Sequence, residues 1–372
     1  MTPVNPAPPA HTLAPPDEKL VARTVRTQLP FSATFVRLHR LPGDASNRRY
    51  FRVELAGGPP PSVIVMQLAE PEGFKASEEA VSGVATTITE LPFLNVLRHL
   101  DQAGTPVPAL YYYDPAAGLL YLEDFGDVTL AEAAQKGSQA ERAILYREAI
   151  DILVEMHVRA SSRRDDRCLA FTRGFDVPLL MWEFEHFLEY GVVARRGEPM
   201  CADDADPVHA EFQKIAELMA AQPRIFTHRD YHSRNLMVRG APVKGRRLGV
   251  IDFQDALMGP AAYDLASLLR DAYIALDEEL IDELVARYLD GIARQGAAVP
   301  DRRAFRQVFD FTSIQRNLKA AGRFVYIDRV KNNPKFLADI PRVLGYVKRN
   351  LVRYPELAAL RKHLTPYVPE LQ

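Results

Sequence analysis

Two apolar runs, RIFTHRDYHSRNLMVR beginning at Arg224 and RRLGVIDF ending at Phe253, flank a polar turn between Gly240 and Arg247, inside a stretch otherwise patterned for helices. Short runs rich in β-branched and aromatic residues around such a turn predict a hairpin. This hairpin carries His228, Asp230 and Asn235 at fixed spacing, and Asp252-Phe253 follows seventeen residues after Asn235. The strand-turn-strand placement brings the two halves of the pattern H-x-D-x-x-x-x-N and D-F together. Asp230 can accept or orient the proton of a hydroxyl, while Asn235 and Asp252 offer the hard oxygen ligands that magnesium takes beside phosphates. That combination suits phosphoryl transfer, which needs an oriented nucleophile and neutralised phosphate charge more than covalent chemistry.

The surrounding pattern predicts two different halves. From Asp17 to Leu29, Leu20, Val21, Val25 and Leu29 recur at helical spacing. FVRLHRL (35–41), RYFRVEL (49–55) and SVIVMQL (62–68) then read as three antiparallel strands, broken at PGDASN and AGGPPP. A helix from Phe93 to Ala103 stops at Gly104, with Pro106 and Pro108 beyond it, and the strands ALYYYD and GLLYLEDF follow. After Asp124 helices dominate, starting with Glu141 to His157, where Leu145, Ala149, Leu153 and Met156 share a face. The expected class is α+β, with a Pro-rich disordered tail (1–16), a small antiparallel β N-lobe (17–125) that binds nucleotide, and a large helical C-lobe (126–372) for catalysis and substrate.

Composition narrows the partners. The chain of 372 residues balances 46 Lys plus Arg against 48 Asp plus Glu and has no long block of like charge, so neither nucleic acid nor an anionic membrane is expected. Cys168 and Cys201 lack metal or disulfide spacing, and no apolar run has the length of a membrane span, which points to the cytoplasm; a monomer is expected. His228 and His232 have the spacing of a zinc pair, but Arg229 replaces the glutamate and the flanks are strands, so His228 is expected to brace the loop.

The segments GDASNRRYFRV (43–53), LYLEDFGD (120–127), HRDYHSRNLMV (228–238), VIDFQDALMGPAAYDLASLLRDAY (250–273), IQRNLKAAGRF (314–324) and LADIPRVLGYV (337–347) resemble the aminoglycoside-phosphotransferase superfamily, which shares the two-lobed protein-kinase fold. Within it they look like the bacterial anomeric kinases of N-acetylmuramate and N-acetylglucosamine. The resemblance implies a cell-wall recycling enzyme using ATP and Mg2+ on a small sugar, with Asp230 catalytic and Asn235 and Asp252 binding the metal. It implies that Leu122 to Phe125 is the hinge receiving adenine, with Glu123 and Phe125 as candidates. It also implies that Gly43 to Asn47, with Ser46 and Asn47, is the turn over the phosphates. The alternatives are a kinase of another hydroxyl acceptor, such as an aminoglycoside, a choline-like alcohol or a different sugar, and a nucleotide-binding scaffold without catalysis.

Some family features are missing. SVIVMQL has no lysine, and there is no G-x-G-x-x-G loop. The phosphate cation is therefore expected among Arg48, Arg49 and Arg52, with Arg49 or Arg52 preferred; the helix-borne glutamate that would pair with a third-strand lysine is not identifiable, Glu79 and Glu90 being the possibilities. Gln254 and Asp255 follow the metal-binding Asp252 and are candidates for the sugar hydroxyls, and Arg316 for a lactyl carboxylate. Trp182 with Glu183 is a further candidate for lining the sugar site. The competing expectations are that Gln315, Arg316 and Lys319 form a solvated stripe, that Asp264 caps its helix, that Trp182 packs in the core, and that Glu123, Asp124 and Asp127 are solvated turn groups.

Overall fold

The β-branched runs of the first half pair as one antiparallel sheet, and its register explains which side chains turn inward. The computed structural model describes residues 14–42, 48–68, 90–243 and 245–372. Strands β1 (Thr34–Arg40), β2 (Arg49–Ala56), β3 (Ser62–Gln67), β4 (Leu110–Asp114) and β5 (Leu119–Glu123) lie in the order β1-β2-β3-β5-β4. Phe51 pairs with Val65, and Val65 with Tyr121, so these alternate side chains share one face. Helix α1 (Glu18–Gln28), capped by Asp17, buries Val21 and Val25 against that face with Val53, Val63 and Leu119. Each such side chain contributes about 1.5–3 kcal/mol on full burial. Tyr111 packs edge-on against Phe31, and Tyr112 lies tilted against Tyr121. Of the expected tail, residues 14–16 are described and ordered by contacts: the Ala14 carbonyl accepts from Gln67 Nε2 at 3.0 Å, and Pro16 is buried.

The chain divides into two compact units, the first running to residue 73 and including 108–124, the second comprising 74–107 and 125–372. Helix α2 (Pro92–Gln102), placed by the sequence in the N-lobe, therefore belongs to the second unit. Its polar side chains give the reason. Asn95 donates to the Arg167 carbonyl at 2.8 Å and accepts the Leu169 amide at 2.7 Å, and His99 Nε2 lies 2.9 Å from the Ala160 carbonyl. Gly104, at φ 81, ends this helix in a left-handed conformation that a side chain would disfavour.

The rest of the second unit is mainly helical. Helices α3 (Leu130–Lys136) and α4 (Gln139–Ser162) both start at capping boxes, Thr129 with Glu132 and Ser138 with Glu141. Helix α5 (Val177–His186) continues into a π-helical turn, Phe187–Val193, and α6 (Ala202–Ala220) follows. Two small antiparallel pairs interrupt the helices: β6 (Arg224–Thr227) with β9 (Leu257–Pro260), and β7 (Leu236–Val243) with β8 (Arg246–Val250). Helices α7 (Ala261–Leu269), α8 (Glu278–Arg294), α9 (Arg302–Lys331), α10 (Ile340–Arg353) and α11 (Ala358–Leu364) complete the chain. Helix α9 is surrounded, burying Phe309, Ile314 and Leu318 but also Gln315, Arg316 and Asn317.

Candidate active site

The loop from His228 to Asn235 leaves β6, enters β7, and takes its shape from two carboxylates farther along the chain. Asp264 of α7, fully buried, accepts the amides of His228 and Arg229 at 2.7 and 2.9 Å and lies 3.0 Å from His157 Nε2. Its carboxylate thus holds the loop and not the end of its own helix, which corrects the capping expectation. Asp271, just beyond α7 and also buried, accepts the Ser233 amide at 2.9 Å. Arg229 sits at φ 80, a conformation that costs a non-glycine residue about 1–3 kcal/mol and persists only where its surroundings impose it. The paired amide contacts with Asp264 supply that constraint. His228 Nε2 lies 3.0 Å from the Ile251 carbonyl, so it donates, leaving Nδ1 to accept the Asp230 amide at 3.3 Å.

Asp230, Asn235 and Asp252 come together at the mouth of this loop. Asn235 Nδ2 donates to the Asp230 carbonyl at 3.0 Å and lies 3.3 Å from Asp252 Oδ2, and the Ile251 amide donates to the Asn235 carbonyl at 3.0 Å. Asp252 itself has a left-handed φ of 64, a second residue in a conformation that non-glycine residues rarely adopt. Because the amide nitrogen of Asn235 is held by Asp230, its oxygen is the donor atom that remains for a cation, together with the Asp252 carboxylate. One amide and one carboxylate oxygen fit magnesium, which completes its octahedron with phosphate and water, and fit a metal caged by protein poorly. Among the described residues no three His, Cys, Asp or Glu are grouped to hold a metal. Burial pushes the Asp230 carboxyl upward, but the positive charges near it, Lys319 foremost, outweigh this and hold it below its ordinary value. It is therefore ionised at neutral pH, the state that accepts a proton.

A buried ionic cluster holds Arg229 of this loop. Glu183 of α5, wholly buried, meets Arg229 NH2 at 2.8 Å, Gln315 Nε2 at 2.7 Å and Lys319 Nζ at 2.6 Å, and Lys319 Nζ is 3.2 Å from the Tyr263 hydroxyl. Arg316 is buried and donates through Nε to the Ser267 hydroxyl of α7. Gln315, Arg316 and Lys319 therefore do not form a solvated stripe: the helix that carries them is packed on all sides, and a charge there needs a partner. Gln254 is buried, and its Nε2 bridges Asp252 Oδ1 and Asp255 Oδ2, both at 2.9 Å. This geometry orients the Asp252 carboxylate.

The nucleotide candidates fall differently. Arg52 makes a two-pronged contact with Asp124, Nε to Oδ2 at 2.5 Å and NH2 to Oδ1 at 3.0 Å, and Ser62 Oγ donates to the same carboxylate at 2.7 Å. Asp124 is thus a buried anchor joining β2 to the end of β5, which corrects its reading as a solvated turn group. Arg49 lies opposite Gln67, on the face of the sheet that carries Phe51. Glu123 Oε2 accepts the Ala109 amide at 3.2 Å. The Phe125 ring, in the second unit, lies under the Arg239 guanidinium at 4.5 Å and against Gly249, where a Cβ would collide with it. Glu90 is engaged by Asn95 and Arg98 within the second unit. Ser46, Asn47 and Glu79 lie outside the described residues.

Residues 37–306 match the phosphotransferase enzyme family. The chain belongs to that family. An N-acetylmuramate/N-acetylglucosamine kinase of Neisseria meningitidis serogroup B is 33% identical to it over 342 residues, 91% of each chain. A protein of the same name from Pseudomonas aeruginosa is 30% identical over 322 residues, 85% of this chain and 84% of that one. Among solved structures, a choline kinase from Cryptosporidium parvum has a TM-score of 0.60 at 12% identity, covering 93% of this chain and 99% of its own. An ADP-bound aminoglycoside phosphotransferase has a TM-score of 0.54 at 14% identity, covering 88% and 97%. These two likenesses show the fold, an α+β kinase-like one. Among the described residues, no helix is long and apolar enough to cross a membrane.

Proposed function

We propose that this phosphotransferase is an ATP- and magnesium-dependent kinase of the anomeric hydroxyl of N-acetylmuramate and N-acetylglucosamine, working in the cytoplasm in cell-wall sugar recycling. The observation that carries the reading is the meeting of Asp252 with the braced loop that bears Asp230 and Asn235, in a chain whose relatives bear the name of that kinase. Asn235 and Asp252 would hold magnesium, which when bound neutralises charge on the ATP phosphates. Asp230 orients the anomeric hydroxyl, whose oxygen bonds to the γ-phosphorus as the bond from that phosphorus to the ADP oxygen breaks. The hydroxyl proton passes to the Asp230 carboxylate. An anomeric hydroxyl is more acidic than other sugar hydroxyls, so a carboxylate that shares its proton late suffices.

Arg49 or Arg52 is proposed as the cation for the phosphates, Arg52 being also the partner of Asp124. Glu123 and Phe125 are proposed beside the adenine, and Asp255 and Arg316 beside the acceptor, Arg316 meeting the lactyl carboxylate. A catalytically silent scaffold fits poorly with two non-glycine residues, Arg229 and Asp252, held in left-handed conformations at the site. The test is ADP release with magnesium and a panel of N-acetylmuramate, N-acetylglucosamine, choline, ethanolamine and an aminoglycoside. Turnover confined to the amino sugars is expected, and a clear preference for an amino alcohol or aminoglycoside would overturn the assignment.

A further inference from the structure

Four rings cluster where α5, the π-helical turn and α9 meet. His186 is the buried hub: Trp182 stacks on it with centroids 6.0 Å apart and planes at 13°, Tyr190 lies at 4.8 Å and Tyr326 at 5.5 Å. Tyr190 and Tyr326 meet edge-on at 5.1 Å, and the Arg323 guanidinium lies 4.7 Å over the Tyr326 ring. Trp182, Tyr190, Tyr326 and Arg323 are all partly exposed. Gly322 fixes the arrangement, because a Cβ there would stand 2.8 Å from the Phe187 Cα, so α9 and the π-helical turn approach backbone to backbone. π-Helical turns are frequent at functional sites.

The cluster adjoins the catalytic loop by a short route. Trp182 precedes Glu183, which binds Arg229 at 2.8 Å, and Arg229 precedes Asp230. Lys319, bound to Glu183, lies one helical turn before Arg323 on α9. Burial first, and then the charges of Arg323 and Lys319, bring the His186 imidazole down to about 3, so the hub is uncharged at neutral pH. The exposed surface is thus a set of neutral aromatic faces with a guanidinium at one edge. Its complement is a group that joins an apolar methyl to an acceptor oxygen. N-acetylmuramate and N-acetylglucosamine share one such group, the 2-acetamido substituent.

We infer that Trp182, Tyr326 and Arg323 form the acetamido subsite of the acceptor sugar, the methyl packing on the two rings and the carbonyl oxygen accepting from the guanidinium. This rests on the proposed amino-sugar specificity. Trp182 is the chain's one tryptophan, so binding can be read directly. Titrating N-acetylglucosamine into the protein without ATP should change its tryptophan emission with saturation, whereas glucosamine, lacking the acetyl group, should need a much higher concentration. Trp182→Ala should raise the KM for both N-acetyl sugars about tenfold, the scale of one aromatic contact, and leave the KM for ATP unchanged. Trp182→Phe should restore most of the loss, and Arg323→Gln should raise both sugar KM values equally. An unchanged sugar KM in Trp182→Ala and Arg323→Gln overturns the subsite, as does an Arg323→Gln effect confined to N-acetylmuramate, which would assign the guanidinium to the lactyl carboxylate. If the wild type phosphorylates neither sugar, the functional reading fails. The subsite is then decided by the emission titration alone, and no saturable response overturns it.

Discussion

Asn235 Nδ2 lies 3.3 Å from Asp252 Oδ2 across a gap of 17 positions in the chain. The β7–β8 pairing closes that gap, since Leu236 pairs with Val250 and each metal candidate lies within two residues of the paired ends. The hairpin thus delivers an amide and a carboxylate to one place beside Asp230.

Replacing Asp230 with Asn keeps the size of the side chain but removes the proton acceptor. Turnover should fall about a hundredfold or more, the scale of a positioned general base, with the melting temperature nearly unchanged. Near-normal turnover would remove Asp230 from the chemistry.

Asp264→Ala should act on both stability and rate. It leaves the buried His228 and Arg229 amides without their acceptor, at a cost of roughly 1–3 kcal/mol for each buried group left unsatisfied. Denaturant unfolding should show the loss, and turnover should drop because the loop that carries Asp230 loses its constraint. A variant as stable and as active as wild type would show that the brace is idle.

Lys319→Met removes the foremost of the positive charges that hold the Asp230 carboxyl down. Its folded-state pKa should rise, so the acid limb of kcat/KM should move to higher pH while the neutral plateau is less affected. The stability that Asp230 gains from these charges is present above its unfolded value near 3.9 and is lost as pH falls through the lower folded value. An acid limb that stays in place in the variant would show that Lys319 does not tune the base.

Arg52→Ala and Asp124→Ala should each destabilise the first unit by about 2 kcal/mol, the scale of a charge-assisted hydrogen bond. Combined, they should cost less than the sum, because the pair acts together. Simple additivity, with ATP affinity lost in Arg52→Ala alone, would instead make Arg52 the phosphate cation.

The strands of the first sheet were legible because alternation is a local signal: Phe51, Val53 and Leu55 repeat at period two and all turn to the α1 face. The H-x-D-x-x-x-x-N and D-F pattern was legible because its spacing is short. Asp264, Asp271 and Glu183 were not, since each acts through a contact made across the fold: nothing local distinguishes a helix-capping aspartate from one accepting two loop amides. One signal was present for Glu183. It stands alone in the apolar segment VPLLMWEF, and a carboxylate buried on such a helix requires cationic partners. Strand β9 escaped notice because LMGP is short and ends in proline, and Asn95 and His99 tied α2 to the second unit through contacts no periodicity encodes.

The central claim is that phosphate goes to the anomeric oxygen of an amino sugar. Phosphorus NMR of the product formed from N-acetylglucosamine, ATP and magnesium tests it most directly. The account predicts one phosphomonoester resonance coupled to the anomeric proton, absent with Asp230→Asn at matched times. A resonance coupled instead to the C6 methylene protons would contradict it.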